Sequence, residues 1–501
     1  MFAFQEILRY DEDTPAVTRE TEKERGNFME GIIWALQWVN EQFLPSLNDL
    51  MYSKLLIFLL VLVGIYFTVR TGFVQVRRIA DVGKILRERG EKKDGQKQIS
   101  SFQALMMSTA SRVGTGNIAG IAAAIAAGGP GAVFWMWLMA VIGGASAFVE
   151  STLAQIYKVK DGNSFRGGPA YYIQRGLGKR WLGCVFAVLL ILCFAYGFNG
   201  LQSFNISSAI SYYMPNYSQT ILPAVVGLVL AVLTGLVIFG GVHRISAITS
   251  VMVPVMAGGY ILIGLIMFFT HLSAVPDVFA LIFREAFDVQ AIFGGFAGSA
   301  VVIGIKRGLF SNEAGMGSAP NAAATAVVSH PVKQGLIQTL SVFLDTLVIC
   351  STTAMILLVS GVEVSEDISY VQRAVHTTFG DMGIHFITIA IFFFAYSSLV
   401  GNYYYTESNL RFIKDSKPLL FAFRITCLAA IFLGAQANFS TVWNLADILM
   451  GFMSIVNIFA IALLGNIALR ALKDYDLQRK RGVDPVFRAK DIGLYNTDEW
   501  K

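Results

Sequence analysis

The sequence predicts an all-α polytopic membrane protein of about eleven transmembrane helices. Three observations predict it. Hydrophobic residues make up 55% of the 501 and charged residues only 15%, against about 25% charged in a soluble chain that must cover its surface. Apolar runs of membrane length recur from about residue 51 to residue 469. Lys and Arg gather in alternate connections between those runs. Together these exclude a string of soluble domains and a disordered chain. The four cysteines, Cys184, Cys193, Cys350 and Cys427, lie in or beside apolar runs without metal-ligand spacing, which excludes a disulfide scaffold. The net charge of +5 is small for this length, and no nucleic-acid partner is expected.

A spanning helix needs about 20 mostly apolar residues, because lipid offers the backbone no hydrogen-bond partner. The candidate spans are about 51–69, 102–127, 131–157, 181–213, 220–240, 244–270, 289–306, 333–360, 383–407, 418–437 and 439–469. Glycines and polar residues interrupt 102–127 and 289–306. The 70–101 connection carries nine Lys and Arg, among them Arg70, Arg77, Arg78 and Lys84, and 158–180 carries six. The segments 306–333, 408–417 and 470–501 are also basic, whereas 128–130, 214–219 and 438 carry none. Cations resist translocation, so the N-terminus is expected outside and the C-terminus, a basic tail over 470–501, in the cytoplasm of a cell (inner) membrane protein.

Residues 1–50 form a charged, amphipathic segment expected to be extracytoplasmic or interfacial. Residues 11–30 mix charges of both signs and offer no apolar stretch for a cleavable signal. Residues 31–43, with Trp34 and Trp38 four apart, suit a helix in the membrane interface or a partner contact.

Val113-Gly114-Thr115-Gly116-Asn117 sits inside the 102–127 span. Small residues there either let helices pack closely or let the helix unwind and turn backbone groups toward a ligand. Thr115 and Asn117 add polar groups at the same depth, which favours unwinding. A second interrupted stretch, Phe293–Gly317, begins about 185 residues later. Each interrupted span is followed by four more, giving groups of five over 102–270 and 289–469, with one extra helix and its basic loop over 51–101. An odd number of spans inverts the second group. Inverted repeats that begin with interrupted helices point to a secondary transporter with a midplane site.

The stretches VGTGNIAGIAAAIAAGGPGAVFWMW (113–137), FRGGPAYYI (165–173), RGLFSNEAGMGSAP (307–320) and VFLDTLVICSTTAMIL (342–357) closely resemble the alanine/glycine:cation (sodium) symporter family, within the amino-acid–polyamine–cation superfamily. The resemblance covers about 50–470. It implies import of a small neutral amino acid, chiefly alanine or glycine, by symport with Na⁺ through alternating access. It also implies the neurotransmitter:sodium-symporter-type fold, with no organic cofactor. Glutamine or another neutral amino acid, or coupling to H⁺, are the alternatives within transport; a passive channel or a sensor on this scaffold is the alternative outside it.

By the same resemblance, backbone N–H groups at Thr115 and Gly116 would hold the substrate carboxylate, in keeping with the positive end of a half-helix. Asn117 would offer its amide oxygen to an ammonium or a cation. The sodium site maps to the carbonyls of Ala110 and Val113 and the hydroxyls of Ser397 and Ser398, oxygens that suit a hard cation. Gln202 and then Asn199 are expected in the pocket, with Asn205 near the same helical face. Gly294, Gly295, Phe296, Gly298 and Ser299 are the expected opposite wall, with the second break either there or nearer Gly304.

Glu150, Asp345, Glu407, Asp447 and Arg112 are ionisable residues within or beside spans, where a charge costs about 2.5–3.5 kcal/mol at the helix centre. They are either parts of a cation path or gate, or structural pairs such as Arg112 with one of the carboxylates. Ser311-Asn312-Glu313 reads as a helix start at an inner gate or restart. The five histidines are scattered, and no HExxH or GxSxG motif accompanies the carboxylates, so no enzyme is expected.

Overall fold

The computed structural model describes Trp38, residues 42–88, 92–93, 96–162, 164–214, 216–288 and 299–500. Residues up to Asn48 form one unit and Asp49–Lys501 another. Most of the interfacial stretch 31–43, Trp34 included, falls outside the described residues; Trp38 stacks on Phe43 with centroids 5.7 Å apart.

The principal helices of the larger unit are α1 (Ile57–Arg70), α2 (Ser101–Arg112), α3 (Ala119–Gly128), α4 (Ala132–Ile156), α5 (Arg180–Ser211), α6 (Leu222–Ile238), α7 (Gly241–Thr270), α8 (Ala300–Asn312), α9 (Pro331–Ser360), α10 (Asp381–Ile413), α11 (Lys417–Gly434) and α12 (Phe439–Lys480). Among the described residues seven of these, α4, α5, α7 and α9–α12, are long and apolar enough to cross a bilayer, and α1, α3 and α6 are shorter apolar helices. Large apolar side chains such as Phe58, Leu236, Val255, Phe269 and Phe459 stand exposed, as a lipid-facing surface requires. Two short antiparallel ribbons, 92–93 with 96–97 and 159–161 with 164–166, are the strands among the described residues.

Local sequence explains where these helices begin and end. Ser100 and Gln103 form a reciprocal cap at the start of α2: the Ser100 hydroxyl accepts from Gln103 N at 3.2 Å, and Ser100 N donates to the Gln103 amide oxygen at 3.1 Å. Pro331 opens α9, where its missing N–H costs nothing. Asn438 caps α12 by accepting from Thr441 N at 2.9 Å. Two π-wound turns interrupt the long helices, Leu192–Phe198 in α5 and Leu344–Cys350 in α9. Such turns re-aim side chains, and these two deliver Phe198 and Asp345 to the centre of the molecule.

Two expectations are corrected here. The seventh span does not end at residue 306: α8 runs on through Lys306 and Arg307 to Asn312. Both cations pair with Asp447 of α12, at 2.7 and 3.3 Å, so charges that look like a loop signal are neutralised inside the helix packing. Residues 311–313 end a helix and do not start one, with Glu313 in the left-handed region at φ 53°. Beyond residue 470, α12 continues to Lys480, Phe487 N donates to Ser329 O at 2.9 Å, and Trp500 Nε1 donates to Gln155 O at 2.8 Å.

Candidate substrate and cation site

The first interrupted span is two half-helices. α2 stops at Arg112, Val113 (ψ 81°) and Gly114 (φ −125°, ψ −151°) leave helical geometry, Thr115–Asn117 make one tight turn, and α3 begins at Ala119. This break is wholly buried, so each freed backbone group needs a partner.

Neighbouring elements supply those partners. Thr115 N donates to the Gln202 amide oxygen at 3.0 Å, and the Asn205 amide donates to the Thr115 hydroxyl at 3.0 Å. Gly114 N donates to Asn117 Oδ1 at 3.0 Å. The amide nitrogen of Asn117 therefore faces α8 and α9, donating to Asp345 Oδ1 at 2.6 Å and to Ser311 Oγ at 3.0 Å. Asn117 was expected to turn its oxygen toward a ligand; here the oxygen is held by the break and the nitrogen by Asp345. Ser311 and Thr346 hydroxyls also donate to Asp345, and Thr353 donates to Asn117 O at 2.6 Å.

On the α10 side, Ser398 Oγ lies 3.0 Å from Ala110 O, 3.2 Å from Ser111 O and 3.1 Å from Phe394 O. Ser397 Oγ lies 2.9 Å from Phe394 O and 3.5 Å from Ala110 O. The expected cation residues thus meet: Ala110, Ser397 and Ser398 share a cluster of neutral oxygens, and Val113 sits at the adjoining end of α2. The donor set fits an alkali cation, which takes several hard oxygens without fixed charge. Asn199 lies one layer away, its Oδ1 accepting from the Asn402 amide at 3.0 Å while Asn402 Oδ1 accepts from Ser111 at 2.6 Å.

An aromatic stack closes the other side. Phe198 and Phe310 are 4.8 Å apart and Phe310 and Trp443 5.1 Å. A Cβ on Gly116 would come within 2.7 Å of the Phe310 ring. The Arg307 guanidinium lies 4.4 Å over Trp443 and pairs with Asp447. Of the expected opposite wall, Gly294, Gly295, Phe296 and Gly298 lie outside the described residues, and Ser299 caps α8 by accepting from Val302 N at 3.4 Å.

Sequence reasoning missed Thr353 and Phe310, and gave Asp345 and Ser311 other parts, a cation path or ion pair and a helix start. Asp345, Ser311 and Thr353 grip Asn117, and Phe310 supplies the ring against Gly116. Asp345 announced itself as a charge inside a span; Ser311 lay in a stretch read as a helix start at an inner gate. The carboxylates divide between the two expected readings, Glu407 and Asp447 being structural ion pairs. Glu407 pairs with Arg411 at 2.7 Å and Arg424 at 3.4 Å. Glu150 instead accepts from Gly315 N at 3.3 Å, Gly317 N at 3.1 Å and the Asn457 amide at 2.7 Å. Arg112 donates to Gln338, at 3.2 Å to its side-chain oxygen.

The profile described as the sodium:alanine symporter family matches residues 37–489. The chain belongs to that family. This symporter is 52% identical over 450 residues to the amino-acid carrier protein AlsT of Bacillus subtilis, covering 89% of the chain and 95% of the relative. It is 50% identical over 460 residues to the probable sodium/glutamine symporter GlnT of the same organism, covering 91% and 95%. The sodium/alanine symporter AgcS of Methanococcus maripaludis is 36% identical over 445 residues, covering 87% and 97%. Family and relatives are carriers and symporters, and the symporter is a mostly helical, multi-pass membrane protein.

Proposed function

We propose that this symporter imports a small neutral amino acid, alanine or glycine, driven by Na⁺ through alternating access. The observation that carries the proposal is the buried break at 113–118, with N–H groups and a half-helix start on one side and the Ala110–Ser397–Ser398 oxygens on the other. Thr115 and Gly116 N–H groups would take the substrate carboxylate once Gln202 releases Thr115, with Gln202, Asn199 and Asn117 around it. Na⁺ would sit among Ala110 O, Val113 O and the two serine hydroxyls, holding α2 against α10. The substrate must then raise Na⁺ affinity by the factor that Na⁺ raises substrate affinity.

The wider arrangement belongs to the same proposal: eleven spans, five-plus-five inverted repeats over 102–270 and 289–469 in the neurotransmitter:sodium-symporter type, N-terminus outside, and 470–501 in the cytoplasm of a cell (inner) membrane. The sorting of Lys and Arg supports it. The ring of Phe310 against Gly116 favours a small side chain, since bulk is rejected by clash. The name of GlnT favours glutamine as the second reading.

Proteoliposomes loaded with K⁺ are expected to accumulate labelled alanine only under an inward Na⁺ gradient; equal uptake without the gradient ends the symport reading. A competition panel with glycine, serine and glutamine separates the two substrate readings. Ser398→Ala is expected to raise the Na⁺ concentration for half-maximal uptake about tenfold, the loss of one well-placed oxygen worth about 1.4 kcal/mol, while alanine affinity at saturating Na⁺ changes little. The reverse pattern would reject this placement of the ion.

A further inference from the structure

Glu150, Glu313 and Asp345 are buried, and Arg112 is a guanidinium within electrostatic reach of all three. Three carboxylates face one guanidinium, and among the described residues none of the three forms an ion pair with it. Two of them have neutral donors of their own. Glu150 takes Gly315 N, Gly317 N and Asn457; Asp345 takes Asn117, Ser311 and Thr346.

Glu313 is served differently. One oxygen accepts from the Ser318 hydroxyl. The other lies 3.4 Å from Ser111 Oγ, whose single proton is directed to Asn402 Oδ1 at 2.6 Å. Glu313 as a residue is 1% exposed, and among the described residues this oxygen has only the long contact to Ser111. Ser111 is also the residue whose carbonyl, next to that of Ala110, receives Ser398. The chain keeps a glutamate here in a left-handed conformation, φ 53°, where glycine or asparagine is less costly.

A cation held only by neutral oxygens brings an uncompensated charge into a low-dielectric interior. We infer that Glu313 is the counter-charge of the Ala110–Ser398 cation site, raising Na⁺ affinity from beyond Ser111 without touching the ion. The inference rests on the placement of Na⁺ proposed above. Glu313 is a positioning residue: its charge acts on the ion at a distance.

The test compares Glu313→Gln, Ser318→Ala and Ser398→Ala in proteoliposomes, reading Na⁺-dependent alanine uptake and, without substrate, Na⁺-dependent thermal stabilisation of the purified protein. Glu313→Gln is expected to raise the half-saturating Na⁺ concentration about tenfold, as the loss of one buried charge beyond Ser111 predicts, with maximal uptake at saturating Na⁺ kept within about twofold. Ser318→Ala keeps the charge and is expected to leave Na⁺ dependence within about twofold. If Ser398→Ala shifts Na⁺ dependence and Glu313→Gln does not, the inference is overturned and the ion placement stands. If neither shifts it, the ion placement fails. If Ser318→Ala reproduces Glu313→Gln, loop geometry is responsible and the counter-charge is rejected. Should Glu313→Gln not fold, Glu313→Asp is expected to fold and show a smaller shift of the same sign; failure of both to fold makes Glu313 part of the scaffold and overturns the proposal.

Discussion

Uptake of labelled alanine into proteoliposomes is expected to fall by at least about a hundredfold on Gly114→Ala, with the protein still folded. At φ −125° the backbone of Gly114 is open to any L-residue, so the substitution carries no backbone penalty. Its effect is steric. The new Cβ would run into Ser398 Oγ and come within 2.8 Å of Gln202 Nε2 and 3.0 Å of Gln202 Oε1. One methyl group therefore displaces both ends of the site: the serine beside the Ala110 carbonyl and the glutamine on Thr115 N. Displacing a binding group by about 1 Å is enough to cost about two orders of magnitude in rate. Gly83→Ala is the control, since a Cβ there meets nothing within 4 Å and alanine is the better helix former. Uptake retained in Gly114→Ala, at the level of Gly83→Ala, would show that substrate and ion bind away from this break.

The second large effect is on stability. Glu150→Ala is expected to lower the yield of monodisperse protein and its unfolding temperature in detergent, with a destabilisation of about 3–5 kcal/mol. The carboxylate is completely buried in α4 and holds the irregular segment after α8 by Gly315 N, Gly317 N and Asn457. Asn457 also accepts from Tyr172 and donates to Gly315 O at 2.8 Å. Without Glu150, two backbone N–H groups and an amide lose their acceptor where no water reaches them, each costing about 1–3 kcal/mol. Glu150→Gln keeps one acceptor oxygen and is expected to cost less. A wild-type unfolding temperature for Glu150→Ala, measured by following tryptophan fluorescence on heating, would mean that the segment is held by its own turns alone.

These two residues mark the boundary of what the chain discloses without its fold. The break at Gly114 was legible because a helix in lipid must satisfy its backbone locally. Two glycines around Thr115, followed by Asn117, are a local sign that it does not. The same reasoning found the meeting of Ala110 with Ser397 and Ser398 only through family resemblance, since 287 residues separate Ser397 from its carbonyl partner. Glu150 was visible as a charge in a span, yet its role as acceptor for Gly315 and Gly317 was not.

The amino-acid sequence alone determined that this chain is helical and membrane-borne and where its 102–127 span breaks, whereas the serines and amides near that break came from family resemblance. Helicity, membrane character and the break follow from hydrophobic run length, from the sorting of Lys and Arg, and from residues that cannot continue a helix, all local in the chain. Tertiary structure alone decided that Lys306 and Arg307 are neutralised by Asp447, that Asn117 turns its nitrogen to Asp345, and that Phe310 stands against Gly116. Each of those is a long-range pairing. A buried charge or amide takes whichever partner the packing of distant helices brings within hydrogen-bond reach, and no local pattern records that partner.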